Sequence, residues 1–241
     1  MGPLAVRPDR QGAGAGKTVV QTALDWLIAQ GVATLGLETM PRTVDNIGFY
    51  SRLGFAPGHL TVTMTHDLSG RGHTAPALLS TRRGAARDEA LASARRLIDA
   101  LAAGYDFTRE IELTAELGLG DTVLVEARAE GEPAVGDELD ALVLWHSVPL
   151  AEGRPRDEVR VLKLAARDAR AFAAALTAAE AAAARAGIRR VSLRCQTTYD
   201  DAYRHLIARG YRVRWTDLRM TAEGYPERRP RQGVLFSNWE I

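Results

Sequence analysis

A glycine-rich segment at residues 11–18, QGAGAGKT, has residue types and spacing suited to binding an anion. Gly12, Gly14 and Gly16 carry no Cβ, so the main chain can approach a ligand closely there. A helix is predicted to begin directly after them, and unpaired N–H groups meet the positive helix end at such a point. Phosphate and pyrophosphate are the usual guests, and Lys17 would add charge at the rim. A tight turn without a ligand is the alternative.

The same segment partly matches the phosphate loop of nucleotide triphosphatases. That motif requires a glycine, four residues, and then Gly-Lys-Ser/Thr. Gly16, Lys17 and Thr18 fit its end, but Gln11 stands where the first glycine belongs. The sequence therefore argues against a nucleotide hydrolase.

The composition restricts the class of protein. The chain has 241 residues, is 46% hydrophobic and 25% charged, and suits one large domain or two ordinary ones. A net charge of +1 gives no electrostatic footprint for nucleic acid or an anionic membrane. The single cysteine, Cys195, excludes an internal disulfide and a cysteine-based zinc site, and no metal is expected. Without a predicted signal or membrane span, we expect a cytoplasmic protein with neither nucleic-acid nor membrane partners.

Periodicity predicts alternating helices and strands on both sides of a Gly/Ser/Arg-rich linker at residues 69–84. Before the linker we predict helix 16–31, strand 32–39, a helix capped by Thr43 or Asp45 and ended by Gly54, and strand 58–68 with Leu60, Val62 and Met64 inward. After it we predict helices 86–104, 108–118, 168–186 and 200–210, and strands 121–127, 140–148, 158–165, 189–196 and 211–221. This alternation indicates an α/β fold class.

The two halves repeat each other. Aligning Gly31 with Gly187 places Gly54 on Gly210 without a gap, at a constant offset of 156. Other pairs at this offset are Val32/Ile188, Leu35/Val191, Leu37/Leu193, Asp45/Asp201 and Phe55/Tyr211. Shared turn glycines and a shared element order predict a duplicated domain.

Two motifs resemble a known family. VRPDRQGAGAGK is similar to the Arg/Gln-x-x-Gly-x-Gly/Ala signature of the GNAT superfamily of acyl-CoA-dependent N-acetyltransferases. LGLETMPRTVDNIGFYSRLGF resembles the following strand and helix, which end in a Phe-Tyr-x-x-x-Gly-Phe element at Phe49, Tyr50, Gly54 and Phe55. Together with the repeat, the resemblance implies tandem GNAT-like mixed sheets flanked by helices.

The resemblance implies roles for particular residues around acetyl-CoA. Tyr50 would protonate the departing thiolate, although a merely packed tyrosine is the alternative. The family often has an asparagine seven residues before this tyrosine, where this chain has Thr43. Asn46 lies three residues further along and is the candidate contact to CoA. Pantetheine would bind the main chain of a strand end, and pyrophosphate the loop amides; these residues are Leu4, Ala5 and Val6, and Gln11, Gly12, Ala13, Gly14, Ala15, Gly16 and Lys17.

Two further residues are weaker candidates. Glu38 could act as a general base on the amine, but a carboxylate at a strand end is more often solvated. His146 could line a pocket, but a histidine with a satisfied hydrogen bond is the more common case.

The second repeat lacks the implied chemistry. At the offset of 156, Asp168, Arg170 and Phe172 replace the three glycines, and Leu206 replaces Tyr50. A carboxylate and two bulky side chains would block a pyrophosphate. We therefore expect a degenerate second copy and one acetyl-CoA per chain.

The first repeat looks incomplete, because only five residues precede Val6. Either the true start lies upstream, or the missing strands are replaced by the second half or by another chain, as in a homodimer. The predicted organisation is a GNAT part at 1–68, a linker at 69–84 and a second GNAT-like domain at 85–241. The predicted activity is acetyl transfer from acetyl-CoA to a small amine; the alternative is a non-catalytic acyl-CoA-binding or interaction module.

Overall fold

The structure, a computed structural model, describes residues 4–68, 75–127 and 138–239, and it divides into two compact units. The smaller unit holds the described residues of Met1–Thr61, Thr216–Arg228 and Asn238–Ile241, and the larger unit holds those of Val62–Trp215 and Arg229–Ser237. Neither unit is continuous in sequence. The domain ranges expected from the sequence stay predictions.

The smaller unit contains the glycine-rich segment and the helix that carries Tyr50. Its elements are a 3₁₀ turn at Pro8–Arg10, α1 at Ala15–Ala29, β1 at Gly36–Thr39, α2 at Val44–Ser51, the first part of β2 at Phe55–Asp67 and the last part of β8 at Arg212–Ala222. The strand order is β1-β8-β2, and β1 runs antiparallel to β8. The helices and strands predicted after the glycine-rich segment are present in this region, with the first strand shortened to 36–39.

The core of the smaller unit follows the helical spacing of α1. Val20 and Leu24 lie one turn apart, are buried, and pack in one cluster with Leu35, Phe55 and Met220. This is the buried stripe expected of an amphipathic helix against a sheet. It fixes α1 against the strands that follow it in the chain.

One inward position predicted for β2 is wrong. Leu60 is 36% exposed, whereas Val62 and Met64 are buried as predicted. Leu60 lies in a run of exposed residues, 56–60, so the alternation of buried and exposed side chains does not extend to this part of β2.

The other face of the β1–β8 pair carries a buried ion network. Glu38 stands opposite Arg219 in the ladder, and Arg219 Nε donates to Glu38 Oε1 at 3.0 Å. A second guanidinium nitrogen pairs with Glu227, and the Thr61 hydroxyl donates to Glu38. The side chains of Arg219 and Glu38 are only 2% and 3% exposed. Two carboxylates thus compensate a guanidinium that has lost its water.

The larger unit is a mixed sheet with helices packed on it. Its strands include β3 (Ala77–Leu78), β4 (Gly120–Glu126), β5 (Leu139–His146), β6 (Glu158–Ala166), β7 (Arg190–Gln196) and β9 (Val234–Ser237); its helices are α3 (Ala85–Leu101), α4 (Thr108–Glu116), α5 (Ala169–Arg185) and α6 (Asp200–Ala208). The order is β2-β7-β6-β5-β4-β3, with β9 also paired to β6. The predicted α/β class is therefore confirmed.

One edge of β6 is shared by two strands. Its first residues, 158–160, pair in parallel with β7, and its last residues, 163–166, pair antiparallel with β9. All four residues of β9 are buried. The main chain of β6 is thus hydrogen-bonded up to the start of α5.

The two copies share local geometry at the offset of 156. Gly31 and Gly187 have φ of 74° and 73°, and Gly54 and Gly210 have φ of 87° and 94°. Each glycine lies just after a helix, where a left-handed residue ends the turn and glycine is favoured. The order α1-β1-α2-β2 matches α5-β7-α6-β8, but the strand predicted before α1 is not formed, and the tandem arrangement stays a prediction.

Some short elements were not predicted from the sequence. Of the predicted linker 69–84, residues 69–74 lie outside the described ranges, Ala77–Leu78 forms β3, and Leu79–Thr81 forms a 3₁₀ turn. β9 was not predicted either. None of the helices in the described ranges combines the length and apolar character needed to cross a membrane.

The ion network predicts a large effect of a small substitution. Glu38→Gln keeps the shape but removes one of the charges that balance Arg219, so we expect about 3 kcal/mol less unfolding free energy. Chemical denaturation measures this loss. Glu223→Gln, an exposed change in the same unit, is the control and should stay within about 0.5 kcal/mol of the parent. Equal stability of both variants would contradict a buried, paired Glu38.

Candidate cofactor and active site

The glycine-rich segment forms an open turn at the start of α1. Gly12 and Gly14 have φ of 80° and 83°, and Gly14 is the N-cap residue, without a side chain that could cap the helix. A left-handed conformation at both positions favours glycine over any other residue. The turn is exposed from Gln11 to Ala15.

The main-chain N–H groups of this turn are not used by the described chain. The first one engaged is that of Thr18, which donates to the Gly14 carbonyl at 3.0 Å. No hydrogen bond among the described residues involves the N–H groups of residues 12–17. Exposed donors at a helix N-terminus form an anion site together with the positive end of the helix dipole.

The residues before the turn do not form the predicted strand end. Leu4, Ala5 and Val6 are outside any strand, because no described segment pairs with their main chain. The Gln11 side chain donates to the Val6 carbonyl at 3.0 Å and closes the segment onto the turn. Leu4 packs against the core of the smaller unit. The segment is therefore anchored by contacts at both ends, with main-chain groups left for another partner.

The turn and α2 are in direct contact at Gly16. A Cβ placed on Gly16 would lie 3.5 Å from Val6 Cγ2 and 3.6 Å from Phe49 Cζ. The first turn of α1 thus lies against the residue that precedes Tyr50. The structure brings the glycine-rich turn and the Tyr50 helix together, as the two sequence motifs require.

Tyr50 is packed, but its hydroxyl is not engaged. The ring makes edge contacts with Phe49 and Phe55, at centroid distances of 5.1 and 6.0 Å. Burial raises the pKa of Tyr50 above its ordinary value. Within the ranges that the structure describes, no residue forms a hydrogen bond with its hydroxyl. The phenol therefore keeps its proton at neutral pH and is available to a substrate atom.

Asn46 lies in the first turn of α2, one helical turn before Tyr50, and is exposed. Residues four apart share a helix face, so both side chains project from one side of α2. Thr43 is the N-cap residue, but its side chain makes no capping hydrogen bond. Whether Asn46 contacts CoA stays a prediction.

The two weaker candidates have partners. The expectation that Glu38 is solvated is wrong, because the ion network with Arg219 encloses it. His146 Nε2 lies 2.9 Å from the Thr114 hydroxyl, which is the satisfied arrangement that was expected. Burial, and secondarily the charge of Arg160, lower the pKa of His146. Neither residue is offered to a substrate.

The start of α5, which the sequence predicts to be the counterpart of this turn, is closed. Asp168 is the N-cap residue of α5, and its carboxylate accepts the Ala171 N–H at 2.8 Å. Phe172, 2% exposed, packs against Phe236 of β9 at 5.6 Å between ring centroids. Leu206 is fully buried. A helix end with its own carboxylate has no need of an external anion.

Several residues of the candidate site were not identified from sequence. In the candidate site, the Gln11 side chain and the Phe49 ring act through contacts that no local pattern displays. In the larger unit, the same holds for β9. For β9 a weak signal exists, since the apolar run VLFS follows Gly233. The tie between Gln11 and Val6 has no such signal.

Comparisons with known proteins agree with this geometry. Residues 1–55, which include the glycine-rich turn and Tyr50, match the model of the Acetyltransferase (GNAT) family. A search of curated proteins found no match.

Solved structures resemble the whole chain. A GCN5-related N-acetyltransferase from Sphaerobacter thermophilus is 15% identical with a TM-score of 0.56, over 98% of this chain and 74% of that one. A candidate acetyltransferase from Pyrococcus horikoshii is 14% identical with a TM-score of 0.61, over 98% and 69%. A GCN5-related N-acetyltransferase from Anabaena variabilis is 13% identical with a TM-score of 0.52, and the chain spans 53% of its length. The fold is thus that of GNAT acetyltransferases.

The turn geometry predicts how CoA affinity responds to a negative charge. Gly14→Asp places a carboxylate where a phosphate would bind, so the affinity for CoA should fall by about 2 to 3 kcal/mol, measured by calorimetry. Gly31→Asp is the matched control. It adds the same charge and a similar left-handed strain (φ 74°) at the opposite end of α1. Unchanged CoA affinity in Gly14→Asp would refute the turn as the phosphate site.

Proposed function

We propose that the protein is an acetyl-CoA-dependent N-acetyltransferase that transfers an acetyl group to a small amine. The observation that carries this proposal is the row of unengaged N–H groups over residues 12–17 at the start of α1. It lies within the segment that matches the GNAT family model. A bound pyrophosphate would accept from these groups and screen the helix end.

The segment before the glycine-rich turn would bind the rest of the cofactor. The main-chain groups of Leu4 and Ala5 form no hydrogen bond with the described residues and are suited to the amides of a pantetheine arm, which would run like an added strand. The Val6 carbonyl already accepts from Gln11, so its part in that pairing is reduced. Contact between Gly16 and Phe49 directs the arm towards α2.

The chemistry follows from the position of Tyr50. A neutral amine attacks the thioester carbonyl, a C–N bond forms, and the C–S bond breaks with the electron pair left on sulfur. The Tyr50 hydroxyl donates its proton to the departing thiolate and is reprotonated from solvent, while the amine proton goes to water. Because burial raises the pKa of Tyr50, the phenol still carries its proton at neutral pH when the thiolate leaves.

A second candidate is a module that binds acyl-CoA without turnover. The observation in its favour is the burial of Glu38. Its carboxylate is paired with Arg219 and is therefore not available as a general base. Calorimetry with CoA and a thiol-release assay over an amine library separate the two. Binding with no thiol release by any amine would favour the module.

The contrast between the two helix starts leads us to propose one cofactor site per chain. The α5 end is closed by Asp168, and the end of β6, where an arm would run, is paired with β9. Calorimetry with CoA should therefore give a stoichiometry near one. A value near two, or CoA found against α5 in a crystal, would overturn this.

Tyr50→Phe tests catalysis separately from binding. The change keeps the aromatic packing and removes only the proton that is donated in the transition state. The turnover number should fall by about 10- to 1,000-fold, with the acetyl-CoA affinity nearly unchanged. Both are measured with saturating acetyl-CoA and an amine found by screening.

Tyr225→Phe is the matched control for this test. Tyr225 also packs against the core of the smaller unit, so it reports the general cost of losing a hydroxyl there. Its turnover should stay close to the parent value. If Tyr50→Phe retains full turnover, the proton comes from elsewhere and Tyr50 is core packing.

A further inference from the structure

The end of the chain contacts the ion network of the smaller unit. Residues 238–239 belong to that unit, and the Trp239 ring lies over the Arg219 guanidinium, 3.8 Å from its Cζ to the ring centroid. Tryptophan is the best aromatic partner for a cation, and such a pair gains strength when water is excluded. The contact therefore adds a cation–π attraction to the packing of the ring.

Gly36 forms the second wall around the same ring. A Cβ built on Gly36 would lie 2.2 Å from Cζ3 and 2.7 Å from Cη2 of Trp239. Real Cβ atoms do not approach this closely, so the indole occupies the space of a missing side chain. Gly36 and Glu38 are two residues apart on β1 and share one face of the strand. The ring thus covers the face that carries the ion network.

Two carboxylates hold the orientation of Arg219. Glu38 and Glu227 both pair with its guanidinium, and the side chain is 2% exposed. A flat cation held at its edges presents its face, and a flat ring stacks on that face. A planar aromatic group without charge is the ligand class that suits such a surface.

We propose that Gly36 and Arg219 form a binding site for a planar aromatic ring, and that Trp239 is its internal ligand. The ring holds the end of the chain on the β1–β8 pair and keeps water from the ion network. This proposal is independent of acyl transfer and stands or falls without it.

The first experiment removes the ring. Trp239→Ala should lower the Tm by about 4 °C, because it removes the stacking and opens the ion pairs to water. Added NaCl should lower its Tm relative to that of the parent, since exposed pairs are screened by salt. Trp26→Ala, at a tryptophan that is 62% exposed on α1, is the control and should leave the Tm within about 1 °C. An unchanged Tm in Trp239→Ala would overturn the proposal.

A double-mutant cycle tests the specific contact. Gly36→Ala should lower the Tm of the parent, because its methyl group displaces the indole. In the Trp239→Ala background the same change should cost far less, with only the 2.9 Å approach to the Met220 carbonyl remaining. Equal losses in both backgrounds would overturn the contact between Gly36 and Trp239.

The third experiment fills the site again. Free indole at millimolar concentration should raise the Tm of Trp239→Ala by mass action. It should leave the parent and the Gly36→Ala/Trp239→Ala double variant unchanged. If indole fails to raise the Tm of Trp239→Ala, the claim that the site accepts a free aromatic ring is wrong.

Discussion

The buried guanidinium of Arg219 is the interaction on which the smaller unit depends. It joins β1 through Glu38, β8 through its own main chain, and the segment after β8 through Glu227. Removing a charge from water is costly, so each partner is needed to recover that cost. β1 has only four residues and leads through a short turn into α2. Tyr50 lies on α2, which follows this strand in the chain.

α1 and α5 differ in how the main-chain N–H groups of their first turns are hydrogen-bonded. α1 begins after Gly14 and leaves its N–H groups exposed, whereas α5 begins at Asp168 and receives an internal acceptor. A helix start can be stabilised by its own side chain or by an external anion. The Asp168 carboxylate supplies an acceptor at the start of α5 that Gly14 cannot supply at the start of α1. The pairing of β9 likewise occupies the main-chain groups at the end of β6.

The features readable from sequence were those with local causes. Apolar spacing located α1, and glycines at matching positions revealed turns with nearly equal φ, as at Gly31 and Gly187. The environment of Glu38 was not readable, because its partner Arg219 is 181 positions away. The exposure of Leu60 was not readable either, because the first part of β2 is exposed at all of residues 56–60 although the sequence there alternates. Where a partner is distant in sequence, only the folded chain supplies it.

The separation of Glu38 from Arg219 has a consequence for synthesis on the ribosome. At usual elongation rates, the separation of 181 positions takes about 10 to 40 s to translate. During that interval α1, β1 and α2 have been made without Met220, a buried member of their core. Until Met220 is made, the nascent segment exposes apolar surface. This favours binding by chaperones and, at high expression, aggregation. Slow, late closure of the smaller unit is thus built into the order of the chain.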